Sequence, residues 1–398
     1  MAMQYSTFKD LTLSRLGFGL MRLPTLADGT VDEAKTTEMV DYAIANGVNY
    51  FDTAYPYHAG LSEVVAGKLL NRYPREKFFL ADKFPGHQIS ETHYPQEIFE
   101  EQLRRCKVEY FDFYLMHNVY ENSIGVYEDE RWGIVDYFVK QLQAGRIRHL
   151  GFSAHGAPDN MRRFLDRFGS VMEFCQIQLN YLDWSLQNAE EKCRLLAERG
   201  IPVWVMEPCR GGKLVKLPAS VVESLKACRP EESTAAWAFR WLHALPNVKV
   251  ILSGMSTVEQ VTDNIRTFSG GAPLSETERQ MLMQIAEGLK NALPCTGCRY
   301  CCDGCPRGLD IPKLIGLCND VRFDPSMTAS MQLDSLPAGK RPGDCLSCGA
   351  CVKVCPQKIN IPQALHDLAA AHPKMPSWAK ICQERDAAAE KLRQRKML

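Results

Sequence analysis

The sequence predicts an α/β protein: a closed (β/α)8 (TIM) barrel followed by a smaller, mainly helical domain organised round cysteines. Three observations predict it. Between about Leu13 and Ile265, short β-rich runs alternate with amphipathic stretches at helical spacing, bounded by Gly, Pro, Asp and Asn. Eight such runs occur within about 250 residues, which suits a closed barrel of right-handed βαβ units better than an open sheet. Finally, nine of the 16 cysteines lie in two tight groups, Cys295 to Cys305 and Cys345 to Cys355, beyond the last repeat.

In chain order the strand candidates are RLGFGLM, VNYFDTA, KFFLADKF, FDFYLMH, IRHLGFSA, EFCQIQLN, IPVWVME and VKVILSG. Between these strands lie helix candidates with a plain signal. In TTEMVDYAIANG, Met39, Val40, Ala43 and Ile44 form one apolar stripe and Gly47 supplies the stop. IVDYFVKQLQAG repeats it with Ile134, Val135, Phe138, Val139 and Leu142 before Gly145. No GxGxxG follows any strand, which argues against a dinucleotide-binding open sheet. A last helix, LSETERQMLMQIAEGLKNALP, has Ser275 as its cap and Glu278 as capping-box partner. The expected domains are therefore residues 1–290, the barrel, and 291–398, the cysteine domain.

Composition narrows the function. Lys plus Arg and Asp plus Glu both total 47, so there is no net field to attract nucleic acid or an anionic membrane. The start, MAMQYSTFKDLTLSRLG, lacks the basic and apolar regions of a leader, and no apolar run reaches membrane-spanning length. Clustered cysteines in a reducing compartment read as metal ligands or redox groups, so a cytoplasmic location is expected.

Barrel enzymes carry their chemistry at the C-terminal ends of strands. There stand Asp52 closing NYFDTA, Lys83 closing FFLADK and His117 closing FDFYLMH, with Tyr57 in the loop after Asp52. Together, in the contexts FDTAYPY, LADKF and FYLMH, they resemble the catalytic tetrad of the aldo-keto reductases over roughly residues 5 to 290. The resemblance implies reduction of a carbonyl, or oxidation of the alcohol, with NADPH or NADH. Tyr57 would be the proton donor, an acid too weak unless a neighbouring ammonium favours its phenolate. Lys83 would supply that charge, Asp52 would keep Lys83 protonated, and His117 would orient the substrate oxygen.

The same resemblance assigns cofactor contacts. Ser153 and Gln178 match residues that bind the nicotinamide amide, with Ala154 where an asparagine is usual. Met206 stands where an aromatic ring usually stacks on the nicotinamide. Glu259 and Asn264 match adenine contacts. Gly254 and Gln260 replace the basic residues that hold a 2′-phosphate, which leaves NADP against NAD open. Ser256 or Thr257 is expected to cap the helix that follows. Tyr55, His58, Trp132 and His155 are further candidates for the pocket.

The cysteines follow a duplicated pattern. Cys295, Cys298, Cys301 and Cys305 are spaced C-x2-C-x2-C-x3-C before Pro306, and Cys345, Cys348, Cys351 and Cys355 repeat that spacing before Pro356. CPRGLDIP and CPQKINIP extend the duplication, and their Ile-Pro steps suit helix starts. This is the spacing of two-cluster [4Fe-4S] ferredoxins, in which the fourth cysteine ligates the other cluster. By that rule Cys295, Cys298, Cys301 and Cys355 hold one cluster, and Cys345, Cys348, Cys351 and Cys305 the other. Two four-thiolate zinc sites are the competing reading. Cys302 is a spare thiol or a substitute for Cys301, while Cys318 and Cys382 read as buried apolar residues.

Electron counting shapes the rest. Hydride carries two electrons and a cluster usually one, so exchange between the sites would want a flavin such as FMN, or a radical-capable substrate, and a redox partner protein for the clusters. Two other readings stay open: a carbonyl reductase with structural clusters, and a non-enzymatic redox sensor that binds nicotinamide cofactor.

Overall fold

The computed structural model describes residues 2–86, 94–289, 293, 295, 297–323, 325–355, 357–377, 380–381, 383–384 and 387. The chain divides into two compact units, one carrying the barrel and one spanning Met281–Ala387, with the division inside the helix Glu276–Leu289.

In the first unit, β1 (Tyr5–Phe8) and β2 (Leu11–Ser14) form an antiparallel hairpin. Eight strands then close the barrel: β3 (Leu16–Gly19), β4 (Tyr50–Asp52), β5 (Phe79–Phe84), β6 (Phe111–Val119), β7 (Ile147–Ala154), β8 (Phe174–Gln178), β9 (Val203–Met206) and β10 (Val248–Gly254). They pair in parallel in sequence order, with β10 returning to β3. All eight coincide with the runs read from the sequence.

The hairpin was not anticipated. Its sequence, YSTFKDLTLS, is too short and too polar to announce a partner. Its role is visible only in three dimensions, where the Phe8 ring packs 5.1 Å from Trp204 and 5.9 Å from Phe113, both inside the barrel.

Strand side chains alternate, so each strand sends every second residue into the barrel. Tyr50, Ala81, Phe113, Leu115, Phe174, Trp204, Val250 and Leu252 form a fully or almost fully buried interior cluster. Such a core is close-packed, and truncating Phe113 or Trp204 to alanine would cost about 3–5 kcal/mol. Stepping two residues along the same stripes leads from Tyr50 to Asp52, Ala81 to Lys83, Leu115 to His117, Phe174 to Gln176, and Trp204 to Met206. Thus the apolar filling gives way to polar side chains at four of these strand ends, with Met206 the exception.

The outer helices behave as their patterns require. Glu33–Ala45 buries Thr36, Met39, Val40 and Ala43, and Ile134–Gln143 buries Ile134, Val135 and Phe138. The capping box of Glu276–Leu289 is formed reciprocally: Ser275 N donates to Glu278 Oε2 at 2.7 Å and Glu278 N to Ser275 Oγ at 3.2 Å. Among the described residues no helix is long and apolar enough to cross a membrane.

The second unit is helical, with a small core. Its duplication is structural as well as sequential. Helices Ile311–Phe323 and Ile361–Ala371 place Ile311 and Ile361, Leu314 and Ala364, Ile315 and Leu365, and Cys318 and Leu368 in that core as pairs fifty residues apart. Cys318 is therefore a packing residue, as expected, and its thiol contacts Ala364 O at 3.4 Å. Cys382 lies outside the described residues.

Candidate functional site

Asp52, Lys83 and His117 end the inward stripes of three consecutive strands, β4, β5 and β6. Lys83 is completely buried, and its Nζ donates to Asp52 Oδ1 at 2.5 Å and to Thr53 O at 2.6 Å. The same ammonium stands 4.9 Å from the centre of the Tyr57 ring. Burial opposes charge on Lys83, but Asp52 and then Tyr57 outweigh it and hold its pKa above the usual lysine value. Burial raises that of Asp52, with Lys83 pulling the other way. The Tyr57 and His117 rings meet edge to face with centroids 6.0 Å apart. All four residues are buried and assembled around one point.

The backbone round this group is tightly constrained. After Tyr57, His58, Ala59 and Gly60 all take left-handed φ values of 50°, 54° and 86°. Such a run is uncommon for non-glycine residues and is held only where its surroundings impose it. Tyr127 ties the ends of β5 and β6: its hydroxyl donates to His117 O at 2.6 Å and accepts from Gly86 N at 3.1 Å. A Cβ on Gly86 would lie 2.3 Å from that ring, so only glycine fits there. Behind β5, Gln102 Nε2 donates to Lys83 O at 3.1 Å and to Glu63 Oε1 at 3.0 Å, and Arg105 pairs with Glu63 at 2.7 Å. Burial, and then Glu63, push the carboxyl of neighbouring Asp82 well above the carboxylate range.

Of the expected nicotinamide contacts, Ser153 is buried at the end of β7, and its Oγ accepts from Asn118 N at 2.8 Å. Gln178 lies further out, where its Nε2 donates to Asp183 Oδ2 at 2.8 Å. The residue registered beside Ser153 is Gln176, which is buried and whose Nε2 contacts Met206 Sδ at 3.7 Å. Gln176 was missed in the sequence, although period-two counting from Phe174 points to it.

At the adenine-end loop, Thr257 is the cap of helix Val258–Phe268. Glu259 is exposed in its first turn, while Asn264 is buried and donates to Ser253 Oγ at 2.9 Å. The Arg22 side chain covers Gly254, where an added Cβ would meet it at 3.1 Å, and pairs with Glu207 at 3.0 Å.

Three of the remaining pocket candidates, Tyr55, His58 and Trp132, have other engagements. Tyr55 donates to Glu101 at 3.1 Å under the Arg105 guanidinium, and His58 Nε2 accepts from Leu23 N at 3.2 Å. Trp132 packs against Tyr94. His155 is pulled down to about 4, by burial first and by Lys192 second.

In the second unit the eight cysteines line two cavities. Cys295, Cys298, Cys301 and Cys355 surround one, with Ile311, Ile315 and Ile361 also lining it. Cys305, Cys345, Cys348 and Cys351 surround the other, with Leu309, Ile311 and Leu365. Each set takes three thiols from one repeat and the fourth from the other. The loops that carry them share one backbone path: left-handed φ values recur fifty residues apart at Gly297 and Ser347 (68° and 52°), Arg299 and Gly349 (65° and 74°), and Gly308 and Lys358 (56° and 52°).

The thiols are spread round apolar walls, and among the described residues no three His, Cys, Asp or Glu side chains converge on a single metal ion. Four thiols drawn crosswise from the two repeats and set against apolar side chains are a donor set that fits an iron–sulfur cube. Cys302 lines neither cavity. It packs on the core, as does Val352, its twin in the second repeat.

A closed parallel barrel with these strand-end residues, joined to a paired-cysteine unit, defines a class, and comparison with known proteins agrees. The chain belongs to the aldo/keto reductase family, whose model matches residues 15–287, and residues 294–359 match the 4Fe-4S dicluster domain. It is similar to a probable aldo-keto reductase of Glycine max, 30% identical over 227 residues, covering 54% of this chain and 62% of that one. It is also similar to the NADH-specific methylglyoxal reductase of Escherichia coli, 25% identical over 326 residues and covering 71% and 97% of the two chains. Among solved structures, the holo form of an aldo-keto reductase from Bacillus halodurans superposes with a TM-score of 0.59 at 27% identity, covering 71% of this chain and 96% of that one.

Proposed function

We propose that the barrel is a nicotinamide-dependent carbonyl reductase and that the second unit carries two [4Fe-4S] clusters. The observation that carries the first part is the position of Lys83 Nζ, held by Asp52 at 2.5 Å and facing the Tyr57 ring at 4.9 Å. A bound nicotinamide dinucleotide supplies or accepts the hydride. The residues of the chain do the rest. His117 donates a hydrogen bond to the substrate oxygen and orients it, and Tyr57 gives that oxygen its proton as negative charge develops. Lys83 stabilises the phenolate left behind, and Asp52 keeps Lys83 charged in its dry surroundings. Ser153 and Gln176 would hold the nicotinamide amide, Met206 would face its ring, and Gly254, Glu259 and Asn264 would form the adenine end.

Gly254 and Gln260 place no cation at the adenine end, and nearby Arg22 is occupied by Glu207. A 2′-phosphate would lack a dedicated partner there, which favours NADH. The substrate class is a small aldehyde or ketone, and the relative named for methylglyoxal makes that compound the first to try. NADH consumption with methylglyoxal and a panel of aldehydes, in wild type and Tyr57→Phe, tests the reading: turnover is expected to fall about 10²- to 10⁴-fold in the variant, and equal rates would remove it.

Iron–sulfur clusters, when bound, accept and release single electrons. The crossed cysteine sets support two of them, and exposure of Cys295, Cys298 and Cys348 leaves both cubes accessible to a redox partner protein. A structural role is the second reading, supported by Cys301 and Cys351 being members of the small apolar core itself. Reduction of the clusters by a partner, with or without a change in barrel turnover, separates the two readings. An FMN between the sites belongs only to the electron-transfer reading, and flavin content of anaerobically purified protein decides it.

A further inference from the structure

We infer that Asn118 is a cofactor-binding residue, one of two acceptors for the amide NH2 of the nicotinamide. The inference rests on the reading of the barrel as a nicotinamide site and names a contact within it. Asn118 follows His117 directly and is 3% exposed, and its Oδ1 finds no hydrogen-bond partner among the described residues. A buried carbonyl oxygen left unpaired is costly, and such groups in native proteins usually meet a ligand or water. Gln176 repeats the situation: it is 3% exposed and its Oε1 is likewise unpartnered.

Ser153 stands between them. Its Oγ accepts the Asn118 backbone N–H at 2.8 Å, and it is registered with Gln176 across the β7–β8 ladder. Because Ser153 Oγ already accepts, its own O–H is left to donate. The row therefore offers one donor flanked by two amide acceptors. A primary carboxamide is the complement, with one carbonyl oxygen and two N–H donors.

Asn118 reaches this row because the backbone breaks the strand alternation. Its φ is 57°, and the β6–β7 register shifts between Met116 and Val119. Ser123 Oγ fixes the bend by donating to Asn118 O at 2.6 Å. Left-handed geometry alone would accept glycine as readily as asparagine, so a carboxamide here asks for a further reason.

The test uses the full chain, purified anaerobically, and compares dissociation constants for NADH and its 3-acetylpyridine analogue, in which a methyl group replaces the amide NH2. Wild type should prefer NADH by about tenfold or more. Asn118→Gly, which keeps the backbone conformation, should reduce that preference about five- to tenfold and leave affinity for the analogue unchanged. Asn118→Ala, which removes the same carboxamide, should give the same loss if the glycine variant fails to fold. An unchanged preference overturns the inference, as does equal weakening of both cofactors or an effect confined to KM for the carbonyl substrate. Wild type binding neither cofactor would instead remove the reading of the barrel, and this inference with it.

Discussion

The barrel and the cysteine unit build their sites by opposite means. In the barrel, the side chains at the strand ends rest on an interior packed with Tyr50, Phe113, Phe174 and Trp204 and need no ligand to hold them. In the second unit the cysteines are themselves part of the packing: Cys301 and Cys351 belong to the core, and Cys305, Cys345 and Cys355 pack against it. A site supported by packing can lose its chemistry and keep its fold, whereas one supported by metal loses both.

The largest effect should therefore come from stripping iron with a chelator under oxidising conditions. Residues 281–387 should lose protection from hydrogen exchange while the barrel strands keep theirs; protection surviving in both units would erase the contrast. Next is Tyr57→Phe, expected to lower kcat by about 10²- to 10⁴-fold with cofactor affinity nearly unchanged, as read from steady-state rates and direct binding. Lys83→Met should cost about 3–5 kcal/mol in a denaturant titration, because it leaves the Asp52 carboxylate buried without its partner. Adding Asp52→Asn to that variant should recover part of the loss without recovering activity.

A smaller effect is expected in acid. Burial, followed by Arg15 and Arg240, pulls His243 down to about 3, below the ordinary 6.5. Between those values the unfolded chain binds a proton that the folded barrel refuses. Stability from this group is thus complete above about pH 6.5 and declines as pH falls toward 3. His243→Gln should flatten that limb in thermal melts between pH 6.5 and 4. Smallest of all, Cys302→Val should leave iron and sulfide content unchanged, since the repeat already carries Val352 at that place. Loss of a cluster in this variant would make Cys302 a ligand after all.

Most of this architecture is legible in the sequence for a physical reason. Inward stripes of period two end in Asp52, Lys83 and His117, and a fixed cysteine spacing written twice implies two loops of one shape. Gln176 was legible in the same terms, because counting from Phe174 reaches it before Gln178. The rest depends on contacts the sequence does not display. Asn118 faces its neighbours only because φ turns positive after a register shift, and Phe8 matters only where the hairpin meets the barrel floor. Tyr55 looked like a pocket residue but is drawn away by Glu101 and Arg105 on the helix Pro95–Cys106.

The central claim is that the barrel moves hydride directly, whatever the clusters do. The measurement that tests it most directly is the fate of deuterium from C4-labelled NADH during reduction of methylglyoxal by the anaerobic, cluster-loaded protein. The account predicts one deuterium on the carbinol carbon of the product, from a single face of the cofactor, and the same transfer slowed about 10²- to 10⁴-fold in Tyr57→Phe. Product formed without label, its hydrogen coming from solvent, would contradict the account and place the electrons on a path through the iron–sulfur unit or a flavin.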